Sequence, residues 1–189
     1  MRSILAVIVL VLLGGCQHAI GEISFNQELR DELLAMQEVD QKARTQAPTS
    51  QENGDIAAVD QAHTARLKEI VQLYGWPTNS LVGKDGANAA WLLAQHADLD
   101  PSFQREVLRM MGPLVASGEA EASKYAYLWD RTNSPQRFGT QGRCVGKSQW
   151  EPREIDDPDR VDIRRAEVGL PPMSEYTEKV SQFCTRNEG

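Results

Sequence analysis

The sequence predicts a compact, mostly helical (all-α) domain that carries one irregular insert. Apolar residues recur every three or four positions through most of residues 25–130, which is the period of an amphipathic helix. Capping and stop residues separate these stretches into several helices. Residues 131–158 differ, since they are rich in glycine and proline and have no helical period.

Apolar periodicity predicts the first two helices. The first covers residues 25–45, with Ser24 as its N-cap, and the second covers residues 55–74, where Gly75 ends it. Residues 46–54 between them have the composition of a loop. The apolar face of the first helix is formed by Phe25, Leu29, Leu33, Met36 and Val39.

Three shorter helices are predicted next. After a loop at residues 77–85, the alanine-rich residues 87–96 favour a short buried helix. Asp100 and Pro101 begin the following helix, because aspartate caps a helix and proline is tolerated in its first turn. Residues 119–130 form the last helix before the insert.

The insert and the C-terminal part complete the predicted architecture. Within residues 131–158 we expect loops and one short hairpin near residues 138–150. Two final helices are predicted at residues 160–168 and 174–186, on either side of a Gly-Leu-Pro-Pro turn.

The N-terminal residues have the pattern of a lipoprotein signal peptide. Arg2 precedes an apolar run at residues 4–13, which is too short to cross a bilayer because a span needs about 20 residues. Leu13, Gly14, Gly15 and Cys16 follow and resemble the lipobox at which bacterial lipoproteins are acylated and cleaved. The alternative is an ordinary signal peptide that holds a cysteine. We therefore predict a leader at residues 1–15, a lipidated tether at 16–24 and one helical domain at 25–189.

This leader predicts a location in the cell envelope. Lipid on Cys16 would hold the protein at a membrane, since several acyl chains together anchor firmly. Gln17 stands where an aspartate would resemble an inner-membrane retention signal, which favours the outer membrane and a domain that faces the periplasm.

The charge of the chain excludes one class of partner. The formal net charge is -7 at pH 7, whereas nucleic-acid binding generally needs a basic face. We expect no nucleic-acid partner.

The two cysteines that remain after Cys16 are predicted to pair. Cys144 lies in the insert and Cys184 near the end of the chain, and the periplasm is oxidising. Two free thiols are the alternative. A metal site is disfavoured because no histidine lies near either cysteine at ligand spacing, and no motif predicts a cofactor.

Several motifs carry a family resemblance. They are Gly75, Trp76 and Pro77; Gln95, His96, Ala97 and Asp98; Asp130 and Arg131; Arg137, Phe138, Gly139, Thr140 and Gln141; and the run Val-Asp-Ile-Arg-Arg-Ala-Glu-Val-Gly-Leu-Pro at residues 161–171. With these motifs, residues 76–176 resemble an uncharacterised family of bacterial proteins, known only as a domain of unknown function. The resemblance implies a shared fold and no reaction. The family pattern has tyrosine where this chain has Phe138, so any role of that phenol is lost here.

His96 is the candidate for acid–base chemistry, because histidine titrates near neutral pH. Asp98, Asp130 or Glu119 would orient the ring in a catalytic site. His96 and Asp98 cooperate only if the helix ends between them, since residues two apart do not share a helix face. The alternative is that His96 caps the C-terminal end of its helix.

The insert also contains a local group of basic residues. Arg131, Arg137, Arg143 and Lys147 occur there with no acidic residue between positions 131 and 150. Arg131, Arg137, Thr140 and Gln141 are the predicted ligand-binding residues, because arginine and loop amides bind carboxylates and phosphates. The alternative is that these arginines pair with the aspartates at 156, 157, 159 and 162.

Two functions from different classes follow. The first is an envelope-anchored lipoprotein that binds a protein or a cell-wall ligand such as a peptidoglycan fragment; a toxin-neutralising immunity lipoprotein is one version. The second is a small envelope hydrolase or lyase that uses His96 with Asp98 or Asp130. The sequence favours binding, since it holds an anchor and no catalytic motif.

Overall fold

The protein is mostly helical, as the sequence predicts. The structure, a computed structural model, describes residues 24–45 and 52–184, and within them seven α-helices and one two-stranded hairpin occur. In chain order these elements are α1 (Gln27–Thr45), α2 (Glu52–Tyr74), α3 (Asn79–Gln95), α4 (Pro101–Ala116), α5 (Ala122–Thr132), β1 (Gly142–Gly146), β2 (Gln149–Pro152), α6 (Val161–Glu167) and α7 (Met173–Ser181). The predicted leader, Cys16, positions 46–51 and the last five positions lie outside the described residues.

One hydrophobic core joins the first five helices. α1 packs against α2 and α3, and α5 packs against α3 and α4. The fully buried side chains at the centre of this core are Leu33, Leu67, Ile70, Val82, Leu93, Val107, Met111 and Leu128. Each core helix therefore contributes one apolar face, which is the arrangement that the periodicity predicts.

Several helix boundaries differ from the predicted ones. Asn26 rather than Ser24 caps α1, because its Oδ1 accepts a hydrogen bond from the Leu29 amide at 3.0 Å. α3 begins within the predicted loop at residues 77–85, where Thr78 caps it, and it bends at Gly83, whose φ is +75°. Glycine adopts this conformation without a Cβ clash, so a segment composed like a loop is built into a kinked helix.

The predicted hairpin is present, although it lies slightly later in the chain. β1 and β2 are antiparallel, with Cys144 opposite Trp150. The Trp150 ring contacts the ring of Tyr176 on α7, with 5.6 Å between the centroids. The predicted disulfide between Cys144 and Cys184 is formed and ties the hairpin to the residues after α7.

The helix bundle has two ends, which we name by Phe25 and His96. At the Phe25 end, where α1 and α3 start and α2 stops, the Asn26 amide donates to the Leu81 carbonyl at 2.7 Å. At the His96 end, where α1, α3 and α5 stop, the Arg131 guanidinium pairs with Asp98. The insert therefore begins at the His96 end. Among the described residues, no helix combines the length and the apolar character that a membrane span requires.

Candidate functional site

His96 lies at the C-terminal cap of α3 and contacts α1. Its Nδ1 is 2.9 Å from Asp40 Oδ1 and 3.0 Å from Nε of Arg44. A protonated Nδ1 donates to Asp40, whereas an unprotonated Nδ1 accepts from Arg44, so both forms of the ring have a partner. The alternative stated above, that His96 caps its helix, agrees with this position.

An ion-pair cluster surrounds His96. Nη2 of Arg44 donates to Asp40 at 3.2 Å and to Asp60 of α2 at 2.5 Å. Burial alone would raise the pKa of the Asp40 carboxyl, but hydrogen bonds from His96 and Gln41 outweigh it and lower the pKa to about 2. Asp40 is therefore a buried carboxylate that joins α1 to α3 at neutral pH.

The same cluster has the ligand types of a metal site. A carboxylate oxygen of Asp40, one of Asp60 and a ring nitrogen of His96 lie within 4.8 Å of one another. However, the Arg44 guanidinium already bonds to both carboxylates and supplies the positive charge between them. We assign this cluster a structural role, in which it holds the ends of three helices together.

The predicted catalytic partners of His96 have other partners. Asp98 accepts from Nε of Arg131 at 2.9 Å, and Glu119 accepts from the Ser80 amide at 2.8 Å. Asp130 is fully buried and bonds to the insert. Within the described residues, the His96 ring therefore bonds to neither the Asp98 nor the Asp130 carboxylate, because the Asp40 carboxylate of α1 takes that position.

Asp130 shapes the first turn of the insert. Its carboxylate accepts from the backbone amides of Arg137 at 2.8 Å, Phe138 at 3.1 Å and Thr140 at 2.8 Å. It also accepts from the Thr140 hydroxyl at 2.9 Å. A buried carboxylate with four donors satisfies amides that could not otherwise find partners in a loop. Asp130 thus fixes the backbone that carries Arg137.

A chain of hydrogen bonds links this turn to Asp98. Nη1 of Arg131 donates to Gln141 Oε1 at 3.1 Å, and Nε2 of Gln141 donates to the Thr140 hydroxyl at 3.2 Å. The structure thus brings together the predicted residues Asp98, Asp130, Arg131, Thr140 and Gln141. Thr140 and Gln141 are buried and bond to the protein itself, so they support the insert and are not available to a ligand.

Arg137 is the predicted ligand-binding residue that remains exposed. Its guanidinium lies 5.6 Å from the centre of the Trp129 ring. It borders a surface groove of about 300 Å³ that is also lined by Asp156, Asp157, Arg160, Arg164 and Glu167. Within residues 24–45 and 52–184 no ion pair joins Arg137 to a carboxylate, so the predicted alternative of pairing with the nearby aspartates is not found for it.

Comparison with known proteins identifies the family. The chain matches a protein family over residues 27–184, which is most of its length. The chain belongs to DUF6624, a family of unknown function. No curated protein and no solved structure matches it. The predicted membership of an uncharacterised family is thereby confirmed.

The DUF6624 region includes a buried arginine that the sequence analysis did not select. Arg165 is 0% exposed; its Nε donates to the Pro171 carbonyl at 2.6 Å and its Nη1 to the Phe138 carbonyl at 2.5 Å. Burial lowers the pKa of its guanidinium, yet arginine keeps its charge in proteins. Arg165 joins the insert to α6 and the turn after it. The available signal was its place in the 161–171 motif, but a single arginine usually suggests a surface position.

The neighbouring Arg164 holds one wall of the groove. Its Nε donates to the Arg137 carbonyl at 2.7 Å, and its Nη2 donates to the Asp157 and Asp156 carbonyls. These bonds connect α6 to both segments that line the groove. In this DUF6624 domain, Asp130, Arg164 and Arg165 therefore hold the backbone at Arg137 and Phe138 in place through hydrogen bonds.

Proposed function

We propose that the protein is a lipoprotein of the cell envelope whose domain binds a charged ligand in the groove beside Arg137. The observation that carries this proposal is a set of charged side chains that form no ion pair with one another. Arg137, Arg160, Asp156, Asp157 and Glu167 line one groove, and among the described residues none of them takes part in an ion pair. Side chains of opposite sign that share a groove without pairing are available to a ligand.

The mixture of charges indicates the chemistry of that ligand. Arginine binds carboxylates and phosphates through two parallel N–H groups. The carboxylates of the same groove would accept hydrogen bonds from amino groups. A ligand with both groups fits better than a simple anion, which the aspartates would repel. Peptidoglycan stem peptides carry carboxylates and amino groups, and they are present where an envelope lipoprotein would reside.

The proposal predicts a loss of affinity when Arg137 is truncated. Arg137→Ala should weaken the binding of purified soluble peptidoglycan stem peptides about tenfold or more, since a hydrogen bond to a charged group contributes about 1.5–3 kcal/mol. Isothermal titration calorimetry with the full chain measures the dissociation constants. Thermal melting of each variant checks that the domain is folded.

Arg143→Ala is the matched control for this experiment. Arg143 is an exposed arginine of β1 in the same insert, and it does not line the groove. Its truncation should leave the affinity within about twofold of the parent, as expected for a surface charge outside the site. Equal losses for the two variants, or unchanged affinity for Arg137→Ala, would contradict the proposed site.

The anchor is tested separately through Cys16. In cells fed radioactive palmitate, the parent protein should be labelled, and Cys16→Ser should lose essentially all label and leave the membrane fraction. The physical reason is that the cysteine sulfur is the acylated atom and that acyl chains hold the protein at the bilayer. Equal label in both proteins would disprove lipidation at this residue.

A further inference from the structure

We propose that the Phe25 end of the bundle docks on the surface of the lipid bilayer, with Phe25, Leu73 and Tyr74 in contact with lipid. This inference rests on the proposed lipid anchor at Cys16. These three side chains are large and apolar, yet they are exposed by 50%, 69% and 49%. We call them the apolar end patch.

The three residues of the apolar end patch lie at the same end of the molecule. Tyr74 ends α2, and a turn of four residues leads to the start of α3 at Asn79. The first residues of α1 pair with this start, because the Asn26 amide donates to the Leu81 carbonyl. Phe25 and the last residues of α2 therefore lie at the same end of the bundle.

The length of the tether at residues 16–24 favours contact between this end and the membrane. From Cys16 to Ser24 the chain advances eight residues, which span at most about 28 Å when fully extended. α1 has 19 residues and is itself about 28 Å long. The His96 end would reach the bilayer only with the tether stretched back along the whole of α1, whereas the Phe25 end lies next to Ser24, where the tether joins the domain.

The chemistry of the patch fits the interfacial region of a bilayer. Aromatic rings with a polar edge, such as that of Tyr74, favour the level of the lipid headgroups, and Phe and Leu side chains favour the acyl boundary beneath it. The exposed acids Glu28 and Asp31 lie on the first turns of α1. Because Arg30 at this end is already paired with Asp31 and Asp85, we expect apolar contact that depends little on salt or on lipid charge.

Docking in this orientation suits the proposed binding function. The insert begins at the His96 end, where Arg131 pairs with Asp98, on the opposite side of the bundle from the apolar end patch. A domain that rests on its Phe25 end directs the start of the insert away from the membrane. The groove beside Arg137 would then be open to ligands in the aqueous compartment.

Quenching of tryptophan fluorescence by brominated lipid tests this orientation. The lipidated full chain is reconstituted in phosphatidylcholine vesicles with or without bromine on the acyl chains, as the parent, as Leu73→Trp and as Leu99→Trp. Leu99 is the matched control, because it is 64% exposed and lies at the His96 end. The fluorescence of the native tryptophans, measured in the parent, is subtracted from the fluorescence of each variant.

Brominated lipid should quench the added fluorescence of Leu73→Trp by about half, as for a side chain that enters the headgroup and acyl boundary by about 5–10 Å, and should leave that of Leu99→Trp unchanged. Equal quenching of both variants, or quenching of neither, overturns the docking. Protection of Leu73→Trp from aqueous iodide in the absence of lipid also overturns it, since the patch would then be covered by protein.

Flotation of the vesicles tests the lipid anchor independently. Protein that floats without quenching refutes the docking alone. Protein that fails to float refutes both the docking and the lipid anchor at Cys16.

Discussion

Replacing Asp130 with alanine should lower the free energy of unfolding by about 4 kcal/mol, because it leaves several buried donors without a partner. The amides of Arg137, Phe138 and Thr140 and the Thr140 hydroxyl all bond to this carboxylate. Each unsatisfied buried donor costs about 1–3 kcal/mol, and relaxation or entry of water recovers part of the sum. Urea denaturation followed by tryptophan fluorescence measures the change.

Asp98→Ala is the matched control for this prediction. Asp98 belongs to the same network but is exposed, and its main partner is the Arg131 guanidinium. An exposed ion pair contributes at most about 1 kcal/mol, so this variant should remain close to the parent. If the two variants lost similar stability, the carboxylate of Asp130 would not be the group that holds the insert.

The sequence predicts the helices of this fold well because their apolar faces repeat. Leu29 and Leu33 of α1 and Val107 and Met111 of α4 lie in the core where the period places them. The start of α3 could not be predicted in this way. A positive φ at Gly83 allows a helix to bend within a segment whose composition indicates a loop, and the bent helix packs mainly against α1.

Asp40 shows why the candidate site was only partly predictable. The sequence analysis assigned Val39 to the apolar face of α1, whereas Val39 is 50% exposed and Asp40 is 1% exposed. The spacing from Leu29 to Leu33 continues onto position 40 as well as onto 39, but hydrophobicity favours the valine. A buried aspartate is stable here because Arg44 and His96 form hydrogen bonds with its carboxylate. His96 is 56 residues away from Asp40 in the chain, so local sequence does not reveal this contact.

The groove beside Arg137 was also only partly predictable from the sequence. Arg137 was predicted as a ligand contact from its position among basic residues, and it is exposed. Arg160, Asp156 and Asp157 join it only because Gln136 pairs with Ile155 and Arg164 bonds to the Arg137 carbonyl. Local composition identifies a charged residue, whereas its neighbours in space depend on bonds between distant segments.

Loss of the disulfide should destabilise the protein by about as much as loss of Asp130. Cys144 and Cys184 are 40 residues apart, and closing a loop of this length stabilises a fold by about 4 kcal/mol in the chain-entropy model. The double variant Cys144→Ser, Cys184→Ser should therefore unfold at a lower urea concentration than the parent, with an unchanged far-ultraviolet circular dichroism spectrum before the transition. The helical core should persist, since the bond joins the hairpin to the residues after α7 and does not cross the core of α1 to α5.

Dithiothreitol separates this loss from the effect of the serine side chains. Reductant should bring the parent to the stability of the double variant and leave the double variant unchanged, because the variant has no bond to reduce. Among the described residues, the hairpin also contacts the C-terminal part through the Trp150 and Tyr176 rings and through hydrogen bonds from the Ser148 amide to the Cys184 carbonyl at 2.8 Å and from the Trp150 amide to the Ser181 hydroxyl at 3.2 Å. Each of these hydrogen bonds contributes only about 1 kcal/mol, which is less than the covalent link. A loss below about 1 kcal/mol would mean that the reduced unfolded chain already holds these two segments close together.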